Sequence, residues 1–272
     1  MSHTFSRREF LGLAAGSVAM VGLAGCGSSS SSSSSSSTTS SSSSDFSKSS
    51  YIVATDTTFA PFEFTDDSNK FVGIDVDLLA AIAAETGFNY DLQSLGFDAA
   101  VAALESGQAD AAMAGMSITD ARKQKYDFSD EYYDSYVCVA VKDGSDITSL
   151  DGLNGKTVAA KTGTQGADCA ESLKSQYNLT ITYFDDSSLM YQDVLTGNSV
   201  ACFEDYPVMA YGISKGNGLK IVVEEKDDFS TPYGFAVLKG KNADLLAAFN
   251  KGLKSIKDRG KYDEIVNRYL KA

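Results

Sequence analysis

The chain contains a single histidine in 272 residues, His3. Everything after it lacks imidazole, which excludes Ser-His-Asp and Cys-His catalysis and every histidine-ligated metal site from the body of the protein. Four cysteines are present and none stands in a C-x-x-C spacing, so neither a zinc site nor a redox pair is indicated. Positive charge is scarce as well. Against 23 Lys plus Arg stand 36 Asp plus Glu, a formal net charge of −13, and no basic cluster exists that would neutralise a run of phosphates. Nucleic acid is not expected as a partner.

Enzyme-like strings fail for want of a part. Gly155-Lys156-Thr157 would end a phosphate-binding P-loop, but Leu150 stands where the first glycine is required. Lys161-Thr162-Gly163 imitates a penicillin-binding motif, yet no Ser-x-x-Lys supplies its nucleophile. Paired acids such as Asp75 with Asp77, or Glu224 with Glu225, read as solvated faces rather than acid–base pairs. The expectation is a protein without catalysis, cofactor or metal.

What is present begins with an export signal. Ser6-Arg7-Arg8-Glu9-Phe10-Leu11 precedes a small and apolar run, Gly12 to Ala24, that closes on Leu23-Ala24-Gly25-Cys26. The run is too short for a membrane span, which needs about 20 residues. Its flanks resemble a twin-arginine signal and a lipoprotein lipobox. Residues 1–25 are thus expected to be cleaved and Cys26 to carry lipid, holding the protein extracytoplasmically on a bacterial cell membrane. Cleavage removes two arginines and one glutamate, making the chain one unit more negative. Residues 26–50 are expected to form a disordered tether, because Ser28 to Ser44 is almost pure serine and cannot offset its chain entropy by burial. Three cysteines remain, Cys138, Cys169 and Cys202, an odd number, so at least one is expected to be a buried free thiol.

Over the whole chain, 43% hydrophobic and 11% aromatic content is ample for packed cores. Short β-branched runs alternate with helical patterns, the signature of α/β units around mainly parallel sheets. Strands are predicted at 51–55, 88–95, 156–161, 180–184 and 200–204, and helices at 75–86, 98–105, 165–177, 188–195, 243–258 and 262–270. The halves share local sequence. Ile52 to Thr57 parallels Thr157 to Thr162, and Gly107 to Met113 parallels Gly197 to Phe203. Two similarly built lobes follow, with strand ends facing across a cleft. Ligands of open α/β sheets bind at those ends, which places Asp56, Gly115, Lys161 and Asp205 at the site.

Asp56-Thr-Thr-Phe59-Ala-Pro-Phe-Glu63, Gly73-Ile-Asp75-Val-Asp77-Leu78, Gly115 to Arg122 and Asp127-Phe-Ser129 together resemble the polar amino-acid-binding proteins of ABC importers. These are extracellular solute-binding proteins of family 3, with a type II periplasmic-binding-protein-like fold. The likeness runs from Tyr51 to the C-terminus and is nearest to the glutamine-binding branch. It implies two lobes, residues 51–130 plus 231–272 and residues 135–227, joined by a two-crossing hinge near 131–134 and 228–230. A monomer is expected, taking a free L-amino acid and delivering it to the importer's membrane subunits.

The resemblance also implies roles. Arg122 would grip the α-carboxylate bidentately, with Ser117 and backbone N–H groups near Thr164 and Gln165. Asp205 and the Gly115 carbonyl would take the α-ammonium, while Phe59 and Phe97 sandwich the methylene stem. Asp56 and Lys161 match polar positions of the glutamine branch, where a carboxamide meets both a donor and an acceptor. Glu204 departs from it, standing where that branch has histidine. It either pairs with Lys161 or recognises a donor-rich side chain. Glutamine is the expected ligand, with basic amino acids, or a dehydratase-type enzyme on the same scaffold, as alternatives.

Cys26→Ser is expected to change membrane fractionation of the exported protein. Mature wild-type protein that runs as soluble with residues 1–25 still attached would overturn the export reading.

Overall fold

The computed structural model describes residues 46–271. The signal segment, Cys26 and the serine run lie outside the described residues. The first lobe opens with β1 (Tyr51–Thr55), a small antiparallel sheet of β2 (Thr58–Phe59), β3 (Glu63–Thr65) and β4 (Phe71–Val72), then α1 (Ile74–Thr86) and β5 (Tyr90–Ser94). It continues through α2 (Phe97–Ser106), β6 (Ala111–Ala112), α3 (Asp120–Lys123) and β7 (Tyr126–Phe128). The second lobe holds β8 (Tyr136–Lys142), β9 (Thr157–Lys161), α4 (Gln165–Tyr177), β10 (Thr180–Phe184), α5 (Ser187–Thr196), β11 (Ala201–Asp205), α6 (Tyr206–Ser214) and β12 (Leu219–Ser230). The chain returns to the first lobe for β13 (Ala236–Leu238), α7 (Ala243–Asp258) and α8 (Lys261–Leu270).

Both five-stranded sheets share one topology, β5-β1-β6-β13-β7 and β10-β9-β11-β8-β12. The internal sequence repeat is explained by it, since β1 and β9 occupy equivalent places, as do β6 and β11. In each sheet a single strand opposes the other four: β13 pairs antiparallel with β6 and β7, and β8 pairs antiparallel with β11 and β12. The reason is connectivity. β8 and β13 are the first strands after a crossing, so they start at the cleft and run away from it, whereas the other strands run towards it.

The crossings lie side by side. The Tyr233 N–H donates to the Tyr133 carbonyl at 2.7 Å, and the Thr231 N–H donates to the Ser135 carbonyl at 3.0 Å. β12 itself runs on to Ser230, opposite Tyr136, so the second crossing begins as strand. The two crossings thus form a hydrogen-bonded pair of segments between the lobes.

Strand alternation divides the second lobe's core. Val137, Val139 and Val141 face α4, with Val158, Cys169 and Phe203, while Cys138 and Ala140 face the opposite side, with Met190, Cys202 and Met209. Cys138, Cys169 and Cys202 are all buried free thiols. In the first lobe, Tyr51 and Val53 meet α1 and α7, while Ala54 packs on Ala100, Ala103 and Ala109. Residues 46–50, assigned to the tether on composition, lie on this lobe instead. Phe46 packs edge-on against Tyr51 and Phe88, and the Ser47 N–H donates to Asp244 Oδ2 at 2.6 Å. One aromatic side chain supplies the anchor that the serines lack.

The Phe235 and Phe249 rings stack at 4.3 Å and 9° with no solvent exposure. Phe249→Ala should lower unfolding free energy by about 3–5 kcal/mol, read as a reduced urea midpoint at unchanged slope. A loss under about 1 kcal/mol would mean that α7 is not part of the cooperative core.

Candidate functional site

Four strand ends converge between the lobes. Asp56 follows β1, Gly115 follows β6, Lys161 ends β9 and Asp205 ends β11. Asp56, Phe59, Phe97, Gly115, Ser117, Arg122, Thr164, Gln165 and Asp205 line one pocket drawn from both lobes. Wider grooves exist, including one along the hinge lined by Tyr133, Tyr136, Tyr206, Tyr211 and Tyr269, whose lining includes no Lys or Arg. Another is charged, lined by Lys123, Lys239, Asp127 and Asp130, but all its residues belong to the first lobe and its edge; the interlobe pocket draws a guanidinium and carboxylates from both lobes.

Each wall has a local cause. Gly115 adopts φ +55°, and a Cβ there would lie 2.4 Å from the Phe59 ring, so only glycine lets that ring close on the backbone. Thr164 caps α4, its Oγ accepting from the Ala167 N–H at 3.3 Å. The free N–H groups of that helix end therefore turn into the pocket beside Gln165. Gly166 permits this, since a Cβ would meet the Phe203 carbonyl at 2.6 Å. Arg122 Nη1 donates to the Ser117 carbonyl at 3.0 Å and Nη2 crosses the cleft to the Gly163 carbonyl at 2.9 Å. Its guanidinium lies 5.4 Å from the Phe97 ring centre.

Lys161 and Glu204, the other two expected site residues, stand behind this lining. Lys161 Nζ donates to Asp56 Oδ2 across the cleft, with both side chains 1% exposed, and sits 5.4 Å from the Phe59 ring centre. The alternative pairing of Lys161 with Glu204 is therefore not the one formed. Glu204, 2% exposed, accepts from the Tyr191 hydroxyl at 2.7 Å and the Asp205 N–H at 3.0 Å. Burial raises its pKa, and the nearby Lys161 charge opposes that rise. Asp205 is pushed up to about 7 by burial and then by Glu204, while the Tyr233 hydroxyl bonded to it holds it down. Tyr191 and Tyr233 escaped sequence reading, as nothing near either residue signals a cleft. Asp75 corrects an expectation: far from a solvated face, it is 2% exposed beneath Gly115, whereas Asp77 reaches the surface and pairs with Arg268 at 2.6 Å. The first turn of α1 begins under the sheet and turns outward, which a two-residue spacing does not reveal.

Among the described residues no cluster of three or more His, Cys, Asp or Glu is arranged to hold a metal, and no helix is long and apolar enough to cross a membrane.

Two α/β lobes that clasp a charge-lined pocket at their strand ends define a two-lobed binding protein. The chain belongs to the bacterial extracellular solute-binding proteins, family 3, which it matches over residues 51–272. It is 32% identical over 222 residues to a probable histidine-binding protein of Neisseria gonorrhoeae, covering 81% of this chain and 82% of that one. Solved structures share its fold, among them two of ancestral arginine-binding proteins. An ancestral arginine-binding protein bound to arginine is 37% identical with a TM-score of 0.75, covering 82% of this chain and 99% of that one. An ancestral arginine-binding protein bound to glutamine is 36% identical with a TM-score of 0.74, covering 82% and 98%.

Asp205, Asp75 and Glu204 all have folded pKa values above those of an unfolded chain, where an aspartate titrates near about 3.9. The folded protein therefore keeps protons that the unfolded chain has released. That stability is full below the unfolded pKa and is lost as pH rises through the folded one. Without added ligand, the melting temperature should fall by at least about 3 °C between pH 5.5 and 7.5, with Asp205→Asn flattening the slope. A melting temperature that rises over this interval would show that these groups are ionised in the folded state.

Proposed function

We propose that this protein captures a free L-amino acid with a polar side chain between its lobes and presents it to an ABC importer. One observation carries the reading: a single interlobe pocket joins a guanidinium, a helix N-terminus, a buried carboxylate and two aromatic rings. A zwitterion needs the first two for its carboxylate and the third for its ammonium, and the rings suit an aliphatic stem. A ligand bonded to both lobes favours the closed hinge, and the importer distinguishes closed from open. The family supports export, and the lipobox-like ending at Cys26 supports a membrane anchor. Membership of the solute-binding proteins supports a binding role rather than a catalytic one.

Glutamine heads the candidate ligands because Lys161 already neutralises Asp56. A guanidinium or ammonium head would meet that lysine, whereas a carboxamide offers a donor to Asp56 and an acceptor to Lys161. Arginine is the second reading, favoured by Glu204. With Asp56, Lys161, Glu204, Asp205 and Arg122 all ionised, the site is one unit negative, and a cationic side chain balances it. Protonation of Glu204 balances it for glutamine. Ancestral arginine-binding proteins on this scaffold are bound to arginine in one structure and to glutamine in another, which accords with so small a difference, while curated relatives are named for histidine and arginine.

Arg122→Ala should weaken binding of either amino acid at least about tenfold with the fold intact, since lysine-free recognition of a carboxylate rests on the guanidinium fork. Competition calorimetry with glutamine and arginine ranks the ligands. Glu204→Gln should shift preference toward glutamine by about tenfold or more. Arginine binding left unchanged by that variant, or tenfold tighter than glutamine without Glu204 mattering, would remove Glu204 from the choice.

A further inference from the structure

Directly behind the pocket the first lobe buries a second pair of carboxyl groups that the zwitterion chemistry does not use. Glu63 on β3 is 0% exposed and Asp75 in the first turn of α1 is 2% exposed. Asp75 Oδ2 accepts from the Gly115 N–H at 2.9 Å and from the Tyr132 hydroxyl at 2.7 Å. Asp75 Oδ1 and both Glu63 oxygens are buried with no donor to satisfy them, and the two carboxyl groups are electrostatic neighbours. The titratable groups facing them are Asp56 from the β1–β2 turn, Lys161 from the second lobe, Tyr132 from the hinge and Tyr262 from α8. Lys161 is committed to Asp56, so no cation is left to neutralise two charges.

Two carboxyl groups in contact away from water cannot both ionise, and one proton stays between them. Burial, then the Asp75 charge, holds Glu63 well above the carboxylate range. Asp75 is raised only to about 6, because the Gly115 N–H and the Tyr132 hydroxyl stabilise its anion. At neutral pH the proton therefore resides on Glu63 and the charge on Asp75. The pair stands where three parts of the site meet. Glu63 is the cross-strand partner of Phe59, Asp75 pins the backbone of Gly115, and Tyr132 belongs to the first hinge crossing.

We propose that Glu63 and Asp75 form a one-proton dyad whose single negative charge, lodged one hydrogen bond behind Gly115, positions that pocket wall and strengthens capture of the ligand's ammonium group. Both are positioning residues, and the proposal rests on the amino-acid reading above. A second proton, arriving on acidification, discharges Asp75 and loosens its hold on the Gly115 N–H. Binding then weakens as pH falls, opposite to the trend in ligand-free stability.

The test uses the exported full chain, with L-glutamine and L-arginine as probes, in calorimetry at pH 8 and pH 5. Glu63→Gln keeps a donor to Asp75 but removes the held proton, and serves in the infrared measurement below. Asp75→Asn removes the charge and should weaken binding at pH 8 about tenfold, with a smaller change between pH 8 and pH 5 than wild type shows. A structural role alone would not flatten that pH profile. Folded Asp75→Asn that binds within twofold of wild type at pH 8 overturns the proposal. Infrared spectroscopy at pH 8 gives a readout independent of ligand and of how Asp75→Asn folds: beside any bands of protonated Asp205 and Glu204, identified with Asp205→Asn and Glu204→Gln, wild type should show a protonated carboxylic-acid carbonyl band that Glu63→Gln abolishes. Absence of that band overturns the dyad. If neither probe binds wild type, the amino-acid reading fails, and the band alone still decides whether the proton is held.

Discussion

A cleft that must recognise a small ion has to bury charge, and here it buries more negative charge than positive. Asp56, Glu204 and Asp205 are each at most 6% exposed, with Lys161 their one fully buried cation and Arg122 half-buried at the pocket rim. Each buried ion costs several kcal/mol of desolvation unless it is paired and hydrogen-bonded. The arrangement of the two lobes follows from meeting that cost. Lys161 bonds Asp56 across the cleft, Tyr191 bonds Glu204, and Tyr233 from the hinge bonds Asp205. Two of these three links tie the lobes together, so the contacts that make the charges tolerable are also contacts of the closed form.

This coupling gives the hinge its meaning. Tyr233 reaches Asp205 from the returning crossing, and Ser135 on the outgoing crossing donates to the same tyrosine hydroxyl at 3.0 Å. The paired crossings are thus wired into the pocket's acidic wall rather than serving as a passive strap. Opening the lobes would separate Lys161 from Asp56 and Tyr233 from Asp205, and water would have to take over. On the proposed reading, a zwitterion bridging Arg122 and Asp205 would add interactions that exist only when the lobes are together, which is the differential affinity that a conformational response requires.

The topology explains why a repeated half-sequence yields one site. Each lobe sends the ends of its two central parallel strands to the cleft, so Asp56 and Gly115 from one lobe face Lys161 and Asp205 from the other. Side chains at those ends can serve recognition because the strands behind them are packed by alternation on both faces.

Much of this was legible in order along the chain. Period and punctuation set the helices 165–177 and 243–258 and the strand 180–184 with the bounds seen in the structure, because glycine, asparagine and capping threonine act locally. The strand-end rule placed Asp56, Gly115, Lys161 and Asp205 at the cleft for the same reason. What sequence could not supply was the partner of each buried charge. Lys161 choosing Asp56 over Glu204, Tyr233 meeting Asp205 from 28 residues away, and Asp75 lying under Gly115 rather than in solvent are all contacts between elements distant in the chain. The sequence alone determined which residues carry charge and which strand ends present them. Only the tertiary structure decided which charges neutralise one another, since that depends on distances through a low-dielectric interior and leaves no trace in local composition or spacing.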